Sequence, residues 1–435
     1  MDSRSSRLSN SRPPPPAAPA ITPVGEAAQG AEILGELPGP AGVVLWEALR
    51  DVMLWLGTRP GRRAEIAVPD AMRQRRAAIE AAALDPAAWS PLFVMAALME
   101  SPTSVDLPRL LNACGNLASW AEQQGAPATR LYFMQLGALL DPADAKLALE
   151  TAKLARERAD YARSESWFRH AIRVARRAKE WETYIWGYVG LGVMYMRMGN
   201  YPAALAVMGR ALRTARHYRM RGMEGAVRHH LFGLEAERGD LREAYEHART
   251  AGVVYGSSHP QLPGLVHDIA RFWIHQGSFA RAIPLFRAVL PYFPEPSGHV
   301  IVFANLTWAT AGAKLREEYE KAREITIGLL TRGPDHRRVA EAYTILAYAD
   351  LSIGEWNRAE EMANCALTVA LRKHESEIRA IAEDQMERAR SHRARPASIA
   401  QEEGPVLARR ADQIAKDLLE ALVAGGVHPG EFRYG

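Results

Sequence analysis

Four stretches of the chain share one pattern that decides the fold: RMGNYPAAL (197–205), ERGDLREAY (237–245), HQGSFARAI (275–283) and SIGEWNRAE (352–360). In each stretch a glycine is followed two residues later by a large apolar side chain and five residues later by alanine. Glycine tolerates the left-handed backbone that follows the end of a helix, and alanine lets two helices approach closely. Apolar residues with helical spacing flank every stretch, so the pattern predicts helical hairpins.

The composition of the whole chain agrees with a folded helical protein. It has 435 residues and a formal net charge of +4, with 48% hydrophobic and 24% charged residues. These values exclude wholesale disorder and fibrous classes. Two cysteines, Cys114 and Cys365, exclude a disulfide scaffold and a cysteine-rich zinc module. Alternating apolar and polar runs of useful length are missing, so no strand is predicted.

The repeated pattern resembles the tetratricopeptide repeat family, whose unit is a helix–turn–helix of 34 residues. The best-matched unit starts at Ile185 and places small, aromatic and turn residues where the family has them: Gly192, Tyr195, Gly199, Tyr201, Ala204 and Ala211. Other units start near residues 111, 145, 225, 263, 303 and 340. The resemblance implies an all-α solenoid of stacked helix–turn–helix hairpins with helical caps.

The chain departs from the family pattern in two ways. Only the interval from residue 111 to residue 145 equals the family's period, whereas the later intervals are 37–40 residues. Two units also lack the turn glycine, since Ala159 replaces it in the second unit and Glu317 in the sixth. We therefore expect longer helices or loops than the family norm.

The domain plan follows from these boundaries. Residues 1–42, which contain Pro13–Pro16, are expected to be a disordered tail, and residues 43–110 an N-terminal helical segment of degenerate repeats or a cap. Residues 111–374 form the predicted array of about seven hairpins. Residues 375–393 are expected to cap the array. Residues 394–435 are expected to form a linker and an amphipathic helix that either packs back on the array or docks on a partner.

Motifs for chemistry are missing from the sequence. It contains no GxSxG, GxxxxGK[ST], GxGxxG or HExxH pattern, and His229-His230 cannot share one ion because adjacent helical side chains diverge by about 100°. We therefore predict no catalytic residue, no metal and no cofactor. An enzyme assembled from distant repeats remains the lesser alternative. The chain has no apolar run typical of a secretory signal or a membrane span, so we expect a cytoplasmic location and no membrane partner.

The resemblance implies that the first helix of each hairpin lines a concave groove. Eight residues fall at groove positions and are the predicted partner-binding residues: Lys153, Arg156, Trp186, Arg197, His229, His267, Arg271 and Lys314. One basic, concave wall would attract anionic ligands, and arginine can bind a carboxylate with two parallel hydrogen bonds. The alternative is that these charges form a solvated helix face.

The groove and the lack of reactive motifs favour a non-catalytic scaffold or adaptor. It would bind a peptide or segment, acidic in character, of another cytoplasmic protein. The alternative is a nucleic-acid-binding or regulatory ligand-sensing repeat protein, because the stretch RTARHYRMR (213–221) interleaves arginine with Tyr218.

Overall fold

The computed structural model describes residues 18–19, 30–66, 69–332, 338–373, 375–393 and 404–425. These residues contain α-helices and two 3₁₀ segments, Pro60–Ile66 and Leu290–Tyr292, and no strand. None of the described helices is both long enough and apolar enough to cross a membrane. The all-α prediction is confirmed.

The chain divides into two compact units, residues 1–214 and residues 215–435. The helices that begin in the first unit are α1 (Ala31–Glu36), α2 (Pro40–Gly57), α3 (Pro69–Ala81), α4 (Pro86–Met99), α5 (Leu107–Gln123), α6 (Pro127–Leu140), α7 (Ala145–Glu157), α8 (Tyr161–Ala178), α9 (Trp181–Arg197) and α10 (Tyr201–His217). Those of the second unit are α11 (Arg221–Arg238), α12 (Leu241–Tyr255), α13 (Leu262–His275), α14 (Phe279–Val289), α15 (Pro296–Gly312), α16 (Arg316–Arg332), α17 (Val339–Ser352), α18 (Trp356–Lys373), α19 (Ser376–Arg390) and α20 (Pro405–Ala424).

Consecutive helices pair into hairpins within each unit, and successive hairpins stack. In the first unit α5 packs on α6, and α7 packs on both α8 and α9. In the second unit α11 packs on α12, α15 on α16, and α17 on α18. The solenoid-type stacking of helix–turn–helix hairpins is therefore confirmed.

The turn inside each hairpin uses a residue with left-handed backbone dihedrals. Those residues are Gly125, Ala159, Gly199, Gly239, Gly277, Lys314 and Gly354, with φ between 58° and 78° except for Gly239 at 83°. Ala159 thus adopts the turn conformation without glycine, as its position predicted. In the sixth unit the turn residue is Lys314 rather than Glu317. The predicted register of that unit was wrong by three residues, because no glycine marks its turn in the sequence.

Aspartate side chains cap several helices at their first turn. Asp85, which precedes Pro86, accepts a hydrogen bond from the backbone N–H of Ala88 at 3.0 Å, and its second oxygen accepts one from the indole Nε1 of Trp120 at 2.7 Å. Asp106 caps α5 through the N–H of Arg109 at 3.1 Å. These caps satisfy backbone donors that would otherwise lack partners.

The predicted disordered tail of residues 1–42 needs a correction at its end. Helix α1 and the start of α2 lie within it, and Ile33 is fully buried. The carboxylate of Glu36 accepts hydrogen bonds from the backbone N–H groups of Ala128 (2.6 Å) and Thr129 (2.8 Å), and so caps α6. Ala18 packs against the α7–α9 core. Residues 1–17 and 20–29 of the predicted tail lie outside the described residues.

The predicted C-terminal amphipathic helix is α20, and it packs on the second unit. It lies against α12, α13 and α14 with one apolar side buried: Ala411, Ile414, Ala415, Leu418 and Leu422. Polar contacts flank this stripe, because Arg281 Nε donates to Asp412 Oδ1 at 2.8 Å and the Tyr292 hydroxyl donates to the carbonyl of Leu422 at 2.9 Å. Helix α19 packs on α17 and α18, in the place predicted for a capping helix.

Candidate functional site

Two arginines of the first unit come together where α7 and α9 pack side by side. Arg156 belongs to the last turn of α7 and Arg197 to the last turn of α9. The pKa of Arg156 lies below its ordinary value, first because the side chain is buried and second because the charge of Arg197 is close. The two positive charges therefore lie close together in the structure.

The positive charge of this pair is only partly compensated, by the charges of Glu157 and Glu150, which act on Arg156 without forming an ion pair with it. Within the described residues, neither Arg156 nor Arg197 forms an ion pair or a hydrogen bond to a carboxylate, and the buried Nε of Arg156 has no hydrogen-bond partner. Lys153 differs, because its ammonium group binds Glu150 at 2.8 Å. A half-buried guanidinium without a partner carries a desolvation penalty that an anionic ligand would offset.

Apolar and aromatic side chains surround the arginine pair. The guanidinium of Arg156 lies 5.9 Å from the ring centroid of Phe168, which is fully buried. Trp186, half-buried, packs against the same cluster as Phe168. Since Trp186 and Arg197 are eleven residues apart, an angle of about 100° per residue places both on one side of α9.

A close approach between α8 and α9 fixes this geometry. At Gly190 a Cβ atom would lie 2.3 Å from Cε1 of Phe168, well inside normal contact distance. Only glycine lets the two helix axes come this near. Gly190 therefore sets the position from which α9 presents Trp186 and Arg197.

In the second unit, His229 and His267 meet at a carboxylate between α11 and α13. His229 Nε2 lies 3.0 Å from Asp268 Oδ2, and His267 Nδ1 lies 3.2 Å from Asp268 Oδ1. Asn305 Nδ2 lies 3.2 Å from His267 Nε2, so Asn305 donates to that nitrogen if His267 Nδ1 donates to Asp268. The packed surroundings would raise the pKa of Asp268, but the hydrogen bonds from the two histidines outweigh this and hold it well below its usual range.

Two predicted groove residues need correction. His267 is only 2% exposed and is engaged on both ring nitrogens, so it is a packing residue and does not line an open face. Lys314 lies in the left-handed turn after α15, because the register of its unit was wrong, and so it leaves the helical face on which it was predicted. Arg271 is exposed on α13 and forms no ion pair within the described residues.

Sequence reasoning missed Asp268, Phe168 and Gly190. Asp268 could have been found, because it stands 39 residues after His229, one repeat interval along the chain, and beside His267. Phe168 and Gly190 have no comparable signal, since their role depends on how closely two helices approach. Among the described residues, no three His, Cys, Asp or Glu side chains are grouped so that they could hold a metal ion.

A tetratricopeptide repeat family model matches residues 188–218. These residues cover the second half of α9 and all of α10, the two helices of the unit that matches the family pattern best in the sequence. The predicted resemblance is thereby confirmed. No curated protein matches the chain significantly in sequence.

Several solved structures are similar at low identity. BtubC from P. vanneervenii is 15% identical, with 54% of this chain and 96% of that chain covered and a TM-score of 0.38. A Rap protein complexed with competence and sporulation factor is 12% identical, with 83% of this chain and 99% of that chain covered and a TM-score of 0.38. A signal transduction ATPase with a tetratricopeptide repeat sensor, from Pyrococcus horikoshii, is 10% identical, with 77% of this chain and 54% of that chain covered and a TM-score of 0.40. TM-scores this low carry no conclusion about what this chain binds.

Proposed function

Because the chain contains a tetratricopeptide repeat, we propose that it is a non-catalytic protein-interaction scaffold that binds an acidic segment of another protein. The binding site is the face of α7 and α9 that presents Arg156 and Arg197. The observation that carries the proposal is the half-buried guanidinium of Arg156, which lies beside a second arginine and forms no ion pair with an acidic side chain within the described residues. We retain the cytoplasm as the expected compartment of this adaptor.

The chemistry of the site favours a carboxylate with an apolar neighbour. Each guanidinium presents a planar fork of donors that matches the two oxygens of Asp or Glu. Trp186, on the same side of α9, supplies a flat apolar surface for a side chain of the bound segment. A segment with one or two acidic residues beside an apolar residue would therefore satisfy both parts of the site.

The role of the arginine pair gives a quantitative expectation. A hydrogen bond to a charged group contributes about 1.5–3 kcal/mol, so the loss of one such bond weakens binding by about 10- to 150-fold. Arg156→Gln and Arg197→Gln keep a shorter polar side chain and remove the charge. Their combination should abolish capture of acidic peptides and leave the helical content unchanged.

The experiment is a binding assay on an immobilised array of short peptides that vary in Asp and Glu content. The full-length protein is compared with Arg156→Gln/Arg197→Gln and with a control, Lys321→Gln/Arg409→Gln, which removes two exposed charges elsewhere. Selection of acidic peptides by the unchanged protein and the control, but not by the pair variant, supports the proposal. Identical selection by all three proteins refutes it, provided circular dichroism shows that all three are folded.

The second unit can be tested in the same assay. Arg271→Gln removes an exposed and unpaired charge of α13 that the sequence predicted as a groove residue. If α13 itself takes part in binding, this variant should weaken capture of acidic peptides. Unchanged capture of all peptides would confine the acidic site to α7 and α9.

A further inference from the structure

A row of aromatic rings runs along the side of α9 that faces away from Arg197. Trp181, Tyr184, Tyr188 and Tyr195 follow one another at intervals of three, four and seven residues, which places them on one helix face. At about 100° per residue this face lies roughly 170° from the face of Trp186 and Arg197. The row therefore belongs to a different surface from the acidic-peptide site.

The rings of this row contact one another in sequence. The centroids of Trp181 and Tyr184 are 5.7 Å apart, and those of Tyr184 and Tyr188 are 5.0 Å apart, both in edge-to-face geometry. Burial, followed by the neighbouring Tyr188, raises the pKa of Tyr184 to about 12, so the hydroxyl is neutral at physiological pH. The row is an uncharged aromatic platform.

Arginines from the two flanking helices border the platform. Arg210 of α10 donates a hydrogen bond from Nη1 to the Tyr188 hydroxyl at 3.0 Å, and its guanidinium lies 5.5 Å from the centroid of that ring. Arg176 of α8 is near enough to Tyr184 to act on its pKa. Tyr195 is held at the other end by Glu165 (2.9 Å), which also binds Arg169.

This part of the chain has a local excess of positive charge. Residues 161–214 contain nine Lys and Arg against three Asp and Glu, a surplus of six, whereas the whole chain has a net charge of only +4. Arg173, Arg176, Lys179 and Arg213 are exposed, and none of them forms an ion pair within the described residues. We define the basic–aromatic face by these four side chains and by the platform of Trp181, Tyr184 and Tyr188.

We propose that the basic–aromatic face binds single-stranded nucleic acid, RNA or DNA, without sequence preference. The four unpaired cations would neutralise backbone phosphates, and the ring edges and faces of the platform would contact unpaired bases. A duplex would leave the platform unused because its bases are stacked inside. A lipid surface would satisfy the charges but not the rings. An acidic protein segment does not carry a flat ring beside every negative charge, whereas a single strand carries one base per phosphate, so the combination of both features favours a single strand.

The test measures fluorescence anisotropy of a labelled oligouridylate of about twenty nucleotides, titrated with the full-length protein at several salt concentrations. If four phosphates are contacted, log K should fall against log salt with a slope of about −2.8, from −0.7 per phosphate on a single strand. Arg176→Glu/Arg213→Glu should weaken binding at least about tenfold. The control Lys321→Glu/Arg409→Glu makes the same change in net charge on exposed residues elsewhere and should change binding by less than about twofold.

The platform is tested by a matched pair at one position. Tyr188→Leu removes the ring and should weaken binding about tenfold, within the range measured when a stacking side chain is lost. Tyr188→Phe keeps the ring and loses only the hydroxyl, so it should remain within about twofold of the unchanged protein. Equal losses in both variants would show that the hydroxyl and its hydrogen bond from Arg210, and not the ring, support binding, and the proposal would be wrong.

Two further outcomes would overturn the proposal. One is the absence of binding to the oligonucleotide at low salt. The other is equally tight binding to phosphatidylserine vesicles or polyglutamate that is insensitive to Tyr188→Leu, which would identify a general polyanion surface. The acidic-peptide site can be separated from this face, because Arg156→Gln/Arg197→Gln should retain oligonucleotide binding and Arg176→Glu/Arg213→Glu should retain peptide capture.

Discussion

The close approach of α8 and α9 at Gly190 makes a testable prediction about stability. In most helices Gly→Ala is stabilising by about 0.8–1 kcal/mol, because alanine has the higher helix propensity. At Gly190 the added methyl group would lie 2.3 Å from Cε1 and 2.5 Å from Cζ of Phe168. Since carbon atoms prefer separations of about 3.5–4.0 Å, the overlap exceeds about 1 Å.

The size of the effect follows from what Phe168 can do. Its ring is fully buried and packs among the other buried side chains of the first unit's core. Overpacking of a core of this kind costs about 1–3 kcal/mol, which exceeds the propensity gain. We expect Gly190→Ala to destabilise the protein by about 1 kcal/mol net, which corresponds to about 2–4 °C in Tm for a unit of this size.

The matched control is Gly115→Ala in α5. Gly115 is exposed within its helix, and a Cβ atom there would have no neighbour within 4 Å, so only the propensity gain remains. The midpoints of thermal and urea unfolding should therefore shift in opposite directions for the two variants. If Gly190→Ala stabilises as much as Gly115→Ala, the tight approach of α8 and α9 is refuted. Because α9 carries Arg197, Gly190→Ala should also weaken capture of acidic peptides.

Three further predictions concern other parts of the chain. Lys314→Gly should raise the free energy of unfolding by about 0.5–1 kcal/mol, because Lys314 holds a left-handed backbone that glycine adopts more easily. A lower free energy of unfolding in urea titrations would contradict this. Asp85→Ala should lower the free energy of unfolding by about 1–2 kcal/mol at pH 7 through loss of the cap of α4. Because the hydrogen bond from Trp120 holds the pKa of Asp85 below its ordinary value, this stabilisation is present above pH about 4 and should vanish as the pH falls through the lowered pKa. A difference in stability that does not depend on pH would argue against this role of Asp85. Leu418→Ala, at a side chain 3% exposed, should lower the free energy of unfolding measured by calorimetry by about 2–4 kcal/mol. Val406→Ala in the same helix, at a side chain 70% exposed, should lower it by less than about 0.5 kcal/mol. Equal losses would mean that α20 does not pack as described.

The fold was predictable because its signals are local. A left-handed residue after a helix and a small residue five positions later act over a few neighbouring residues, so they can be read without knowledge of the rest of the chain. The error at Lys314 shows the limit of that signal. The backbone requires a conformation and not a residue type, and lysine adopts it at Lys314 as alanine does at Ala159.

The candidate site was only partly predictable. Arg156 and Arg197 meet because both occupy equivalent faces of first helices, which the register alone provides. His267 was predicted on the same grounds but is buried, because Asn305 of a later hairpin covers it. A periodic pattern tells which side of a helix a residue occupies but not how closely the next hairpin packs over that side.

The prediction for α20 was limited in a similar way. The stripe of apolar residues in the sequence indicated that this helix is covered, and the structure places it on α12, α13 and α14. An amphipathic stripe does not specify its partner, since many surfaces can cover it. The choice of partner depends on contacts such as Arg281 with Asp412, which lie 131 residues apart in sequence.

That long interval has a consequence during protein synthesis. The hairpins of the second unit can pair as soon as their own residues leave the ribosome, whereas the surface of α12 and α14 must wait for residues 405–424. Since Tyr292 and Leu422 are separated by 130 residues, elongation at about 5–20 residues per second leaves this apolar surface uncovered for on the order of 10 s. Each nascent chain therefore passes through an interval in which chaperones, or neighbouring chains on the same messenger RNA, can reach a surface that the mature protein keeps closed.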